Sequence, residues 1–130
     1  MTTATVGSPL VPPRPELWRI TDRRTFLALR QDGQRVRRGP LTVTWLPPVA
    51  VEGVSHPRVA FAVGRAVGGA VVRNRIRRRL RAALRGLLTE GGLPAGSYLI
   101  GARTEVAQLP WPAVVQGLRD AVEAATEAPR

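Results

Sequence analysis

Between Arg58 and Gly64 the apolar residues Val59, Phe61 and Val63 take every second position, which predicts a strand with one buried face. Leu41, Val43 and Trp45 alternate with Thr42 and Thr44 in the same way, inside an extended stretch from Arg35 to Leu46 that Pro47-Pro48 ends. Ser97 to Ala102 is a short, mostly apolar run suited to a buried strand. A different rhythm holds between residues 72 and 87. Val72, Ile76, Leu80, Ala83, Leu84 and Leu87 fall on one face when the chain is wound at about 100° per residue. This predicts a packed helix from Ala70 to Leu88, closed by Glu90-Gly91-Gly92.

Two further helices complete the outline. One starts at Thr21 as its N-cap, with Asp22 beside the positive helix end, turns Ile20, Phe26 and Leu29 inward, and stops at Asp32-Gly33. The other runs from Pro112 to Ala125, its proline in a first-turn position where the missing N–H costs little. Ala50 to Pro57 reads as a loop or hairpin connection, and Gly64 to Gly69 as a flexible turn into the long helix. The elements add up to an α+β sandwich, one sheet with helices packed on it. At 130 residues the chain is one domain's worth. The expected layout is a disordered Pro-rich tail over residues 1–16, a single domain over 17–125, and a short flexible end at 126–130.

Composition narrows the chemistry. Without cysteine there is no disulfide framework or thiolate metal site. Met1 to Pro15 carries four prolines and no apolar run, unlike a signal peptide or membrane span, so the expected address is the cytoplasm. The net charge is +11, and all twenty basic residues are Arg. A GC-rich genome accounts for the missing Lys but not for the excess of positive charge. Residues 19–85 hold sixteen Arg against Asp22, Asp32 and Glu52, whereas residues 86–130 hold three Arg against five acids. One part of the fold therefore makes a field that attracts polyanions and releases their counterions.

That field is densest on the long helix. Seven Arg occur in the thirteen residues 73–85 with no acid among them, so no i,i+4 ion pair relieves the repulsion. Arg77, Arg81, Asn74, Arg85 and Arg78 lie nearly opposite the apolar stripe, with Arg73, Arg75 and Arg79 flanking it. A charged helix face is usually just solvated, but such faces normally mix signs, and this one points to nucleic acid. Other candidates carry less. Gly64 to Gly69 has the wrong spacing for a nucleotide-binding loop. His56 before Pro57 has no partner in sequence and reads as a surface residue. The scattered Asp22, Asp32 and Glu52 form no two-metal nuclease cluster.

Residues 58–85 contain a strand, a basic Gly-containing turn, Ala70-Val71-Val72-Arg73-Asn74-Arg75 and a basic amphipathic helix. This closely resembles the signature of the bacterial ribonuclease P protein subunit, with Arg73-Asn74-Arg75-Ile76-Arg77-Arg78 its most specific part; a weaker likeness extends from Leu17 to Val122. The resemblance implies a two-layer α/β sandwich of ribosomal-protein-S5-domain-2-like type, in the order α-β-β-β-α-β-α, with the arginine helix in an unusual left-handed crossover. It also implies a division of labour. A catalytic RNA subunit, using Mg²⁺, frees the 5′ leader of precursor tRNA, and the protein supplies no catalytic residue, binds no cofactor itself and has no obligate protein partner. On matching positions, Phe26, Arg73, Asn74, Arg77 and Arg81 face the leader in a cleft between sheet and helix. Arg65, Gly68, Arg75, Arg78 and Arg79 lean toward the catalytic RNA.

The match has departures. Where many members place a second aromatic one turn after Phe26 this chain has Arg30. An aromatic common near Thr44 is represented only by Trp45, which alternation points to the other face. Ala66 stands where a second Lys is common. Leader binding is therefore expected to rely more on guanidinium groups and less on aromatic stacking. Three other readings compete: a ribosomal or other structured-RNA-binding protein without a processing role, a DNA-binding regulator, and a stand-alone nuclease. A strand and Gly-rich turn precede the arginine helix, where a helix-turn-helix would need another helix. The missing carboxylate cluster disfavours the nuclease.

Overall fold

The computed structural model describes residues 17–48 and 56–127, so the expected tail at 1–16 and most of the Ala50–Pro57 connection lie outside the described residues. In chain order the elements are β1 (Trp18–Arg19), α1 (Arg23–Asp32), β2 (Gln34–Arg38), β3 (Leu41–Leu46), β4 (Pro57–Ala62), a 3₁₀ turn (Arg65–Val67), α2 (Ala70–Thr89), β5 (Gly96–Ala102), a second 3₁₀ turn (Thr104–Ala107) and α3 (Trp111–Glu127). The order α-β-β-β-α-β-α holds, with the two-residue β1 added ahead of it.

The strands form one sheet in the spatial order β1-β4-β5-β3-β2. β5 lies at its centre, parallel to β4 and antiparallel to β3. β4 and β5 are joined through α2, so the arginine helix is the crossover between adjacent parallel strands. α2 and α3 pack on one face. There Ile76, Leu80, Ala83, Leu84 and Leu87 of α2 meet Leu41, Val43, Val59, Tyr98 and Ile100 of the sheet and Val114, Leu118 and Val122 of α3. Ile76, Leu80 and Leu84 are fully buried, and truncating such a side chain to Ala costs about 2–5 kcal/mol. Val72, the first residue of the expected stripe, is only partly buried against this core.

The opposite face is covered at one end only. Ile20, Leu29 of α1 and Leu46 of β3 form a second, smaller core, with Ala28, Ala60 and Leu99 against it. Alternation explains the split: Tyr98 and Ile100 point to the large core while Leu99 between them points to α1.

Two details differ from the sequence reading. The N-cap of α1 is Asp22, not Thr21; its carboxylate accepts from the Thr25 backbone N–H at 2.9 Å and from the Thr25 hydroxyl at 2.6 Å. A carboxylate at the positive helix end is held more strongly than a hydroxyl. The stretch Arg35 to Leu46 is a hairpin rather than one strand, because Gly39 adopts φ +57° beside Pro40 and turns the chain. Register then pairs Val36 with Val43 and Arg37 with Thr42. Phe26, expected to turn inward, is 37% exposed, whereas Leu29 and Ile20 are buried.

A candidate RNA interface

The uncovered end of the sheet is a cleft of about 410 Å³. Its floor is small: Thr42 and Thr44 of β3 stand opposite Gly101 and Leu99 of β5, and Gly101 opposite Ala62 of β4. Its rim is basic. Arg35 and Arg37 rise from β2 and Arg103 from the end of β5, and among the described residues neither an acid nor an aromatic lines the cleft. The hairpin places these residues, since Val36 packs on the large core and alternation turns Arg35 and Arg37 the other way. All three arginines are exposed.

α2 carries the other part of the surface. It begins at Gly69 without a side-chain cap or an acid in its first turn, so its positive end is unneutralised. The preceding Gly68 has φ +154°, and a Cβ there would press against Val72 at 3.1 Å. The repulsion along the helix is partly resolved within the protein. Arg73 donates to the Gly68 carbonyl, Arg75 to that of Ala107, Arg77 to that of Val63 and to the Asn74 side chain, and Arg79 to those of Val106 and Leu109. Arg81 lies over the Phe61 ring at 5.4 Å. Carbonyl dipoles thus take up four of the seven guanidiniums, a relief that the lack of i,i+4 ion pairs in the sequence did not reveal. Among the described residues, Arg78 and Arg85 make no such contact.

The residues expected in a leader cleft and those expected for docking are not cleanly separated, since Arg73 of the first set donates to the carbonyl of Gly68 of the second. None of Phe26, Arg73, Asn74, Arg77 and Arg81 lines the sheet cleft. Arg77 comes within one residue of it, bonded at 3.1 Å to the carbonyl of Val63, which follows the cleft residue Ala62. Asn74, held by Arg77 at 3.1 Å, shares that corner. Arg81 lies further along α2, over β4, and Phe26 stands on α1 at the covered end of the same sheet face. On the flank toward α3, Arg75 and Arg79 anchor α2 to residues 106–109, with exposed Arg78 between them. Arg65 and Gly68 sit in the turn before α2, Arg65 exposed. Sequence reasoning missed Arg35, Arg37 and Arg103. The alternation Arg35-Val36-Arg37 was the available signal for the first two.

Away from this surface, Arg58 ties α1 to the sheet by donating to Thr25 at 2.8 Å and pairing with Asp22 at 3.4 Å. The Thr25 hydroxyl bond, chiefly, holds the Asp22 carboxyl below its ordinary pKa. His56 rests against the Trp18 ring at 4.6 Å. Among the described residues no group of three or more His, Cys, Asp or Glu could hold a metal ion. No helix among them is long and apolar enough to cross a membrane.

The model of the Ribonuclease P family matches residues 15–126. The chain belongs to the ribonuclease P protein family. Solved ribonuclease P proteins share its fold. One from Staphylococcus aureus is 20% identical, with a TM-score of 0.69 over 83% of this chain and 94% of that one. One from Thermotoga maritima is 22% identical, with a TM-score of 0.67 over 81% and 94%. No curated protein matches the sequence. Membership makes this ribonuclease P protein an RNA-binding component of the tRNA-processing ribonuclease P complex.

Proposed function

We propose that this protein holds the single-stranded 5′ leader of precursor tRNA across the open sheet face while α2 and its preceding turn dock on the catalytic RNA. The carrying observation is the cleft of about 410 Å³, rimmed by Arg35, Arg37 and Arg103 with no acid among the described residues that line it. A single strand is held by charge along its backbone and by stacking on flat groups. Here the flat groups at the rim are guanidinium planes, in keeping with the departures at Arg30 and Thr44. Arg77 and Asn74 extend the rim along α2, with Arg73, Arg81 and Phe26 as its outer contacts. Arg65, Gly68, Arg75, Arg78 and Arg79 make up the docking side, Arg75 and Arg79 partly by fixing the backbone around residues 106–109.

In this division the protein raises affinity for substrates that carry a leader and supplies neither nucleophile nor metal ligand. The hydrolysis that leaves the mature 5′ end, and the Mg²⁺ it uses, belong to the catalytic RNA, and the complex works in the cytoplasm. The test mixes the purified protein with the same organism's catalytic RNA and a 5′-extended precursor tRNA at low Mg²⁺. Protein-dependent release of an intact leader is the expected result. No stimulation, with tight binding to another structured RNA, would overturn the processing role and leave a structured-RNA-binding protein.

A further inference from the structure

The flank of α2 turned away from the sheet cleft forms a second groove, about 300 Å³, with α3. Its lining is Arg75, Arg78, Arg79, Ala82 and Trp111. Trp111 opens α3 and is 43% exposed, unlike Trp45, whose indole N–H donates to the Ala95 carbonyl against the core. A single exposed apolar residue needs no explanation. This one stands beside a guanidinium that is fixed in place: both terminal nitrogens of Arg79 donate to the carbonyls of Val106 and Leu109, and its central carbon is 5.8 Å from the indole centroid. Arg75 donates through Nε to Ala107 and has no partner for its terminal nitrogens among the described residues. Arg78 is unengaged. Ala82 keeps the floor low, and among the described residues no acid lines the groove.

The groove thus joins two preset flat groups, an indole and a guanidinium, to cationic donors that remain available. A flat, electron-rich ring attached to an anionic backbone matches that combination. We propose that Trp111 and Arg79 form a stacking site for one unpaired base of the catalytic RNA, with Arg78 and the free end of Arg75 on the adjoining phosphates. This rests on the docking reading above and adds to it a base-recognition residue, Trp111, from outside the arginine helix. Arg79 acts as a positioning residue for the indole and also presents its own face. Since its donors are already committed to carbonyls, little side-chain freedom is lost when a base arrives.

The test measures binding of the full-length protein to the catalytic RNA, alongside binding to a short single-stranded RNA. Trp111→Leu should weaken catalytic-RNA binding at least about fivefold, the lower end of one base–aromatic stack, and weaken single-strand binding by less. Trp111→Phe should retain most of the affinity, and the extra tryptophan emission of the wild type over Trp111→Phe should be quenched on binding. Melting curves of the two variants establish that both are folded. Equal affinity of wild type and Trp111→Leu, with no quenching, overturns the stacking site while leaving the docking reading intact. If the wild type itself fails to bind the catalytic RNA, the docking reading falls and the stacking site with it.

Discussion

Removing the guanidiniums of Arg35 and Arg37 separates a leader held on the sheet from one held by α2 alone. Among the described residues three arginines line the cleft, and each single-strand phosphate neutralised adds about 0.7 to the slope of log K against log salt. Three engaged phosphates give a slope of about −2, so raising salt from about 50 to about 200 mM weakens binding about 18-fold through the cleft alone. The double variant Arg35→Ala, Arg37→Ala keeps only Arg103. Its slope should be shallower by about 1.4, and the same salt step should cost the cleft only about threefold. Folding should be spared, because both side chains are exposed and the Arg37 bond to the Gly39 carbonyl is a long one, 3.5 Å. The assay is fluorescence anisotropy of a labelled single-stranded RNA titrated with the protein across a salt series. A double variant whose slope equals the wild type's would refute the cleft as the leader site. A steep fall in Arg77→Ala and Arg81→Ala instead would return the leader to the helix.

Three further outcomes follow from named contacts. Phe26→Ala should cost less single-strand affinity than the arginine pair, because no aromatic lines the cleft; the reverse ranking in the same anisotropy assay would restore aromatic stacking as the main term. Asp22→Ala loses a helix cap and an exposed ion pair, about 1–2 kcal/mol together, and should lower Tm by about 5–10 °C, while Thr21→Ala should change it little. The folded pKa of Asp22 lies below its ordinary 3.8, so its stabilisation is complete above the unfolded pKa and is lost as pH falls through the folded one. The Tm difference between wild type and Asp22→Ala should therefore close in acid and persist at neutral pH. Gly96→Ala should cost about 2 kcal/mol or more in denaturant titrations, since Gly96 has φ +135° and a Cβ there would lie 2.4 Å from the Leu46 carbonyl oxygen and the Trp45 indole nitrogen.

Periodicity made most of the fold legible. The stripe from Ile76 to Leu87 is buried as the wheel predicts, and Leu41, Val43 and Trp45 share the face opposite Thr44. These features depend only on which side of an element a residue falls. The hairpin at Gly39 was not legible, because a two-residue turn inside a run of arginines offers no apolar break. The cleft was missed for a related reason. It is assembled from β2, β3, β4 and β5, residues far apart in sequence whose neighbourhood is set by strand order. α2 announced itself by charge density, yet the same density hid the carbonyl bonds of Arg75 and Arg79, whose acceptors lie about thirty residues away.

The central place of β5 also sets the order in which the molecule can assemble during synthesis. The β2–β3 hairpin forms from neighbouring residues, whereas β4 stays apart from it until β5 is made, because β5 alone bridges the two. By then the whole of α2 has already been translated, with its apolar stripe lacking the half of the core that Tyr98, Ile100 and α3 provide. A nascent chain is thus expected to pass through a stage in which seven arginines lie on a segment that lacks half of its packing partners. The weakly charged last third of the protein determines when that segment becomes an ordered surface.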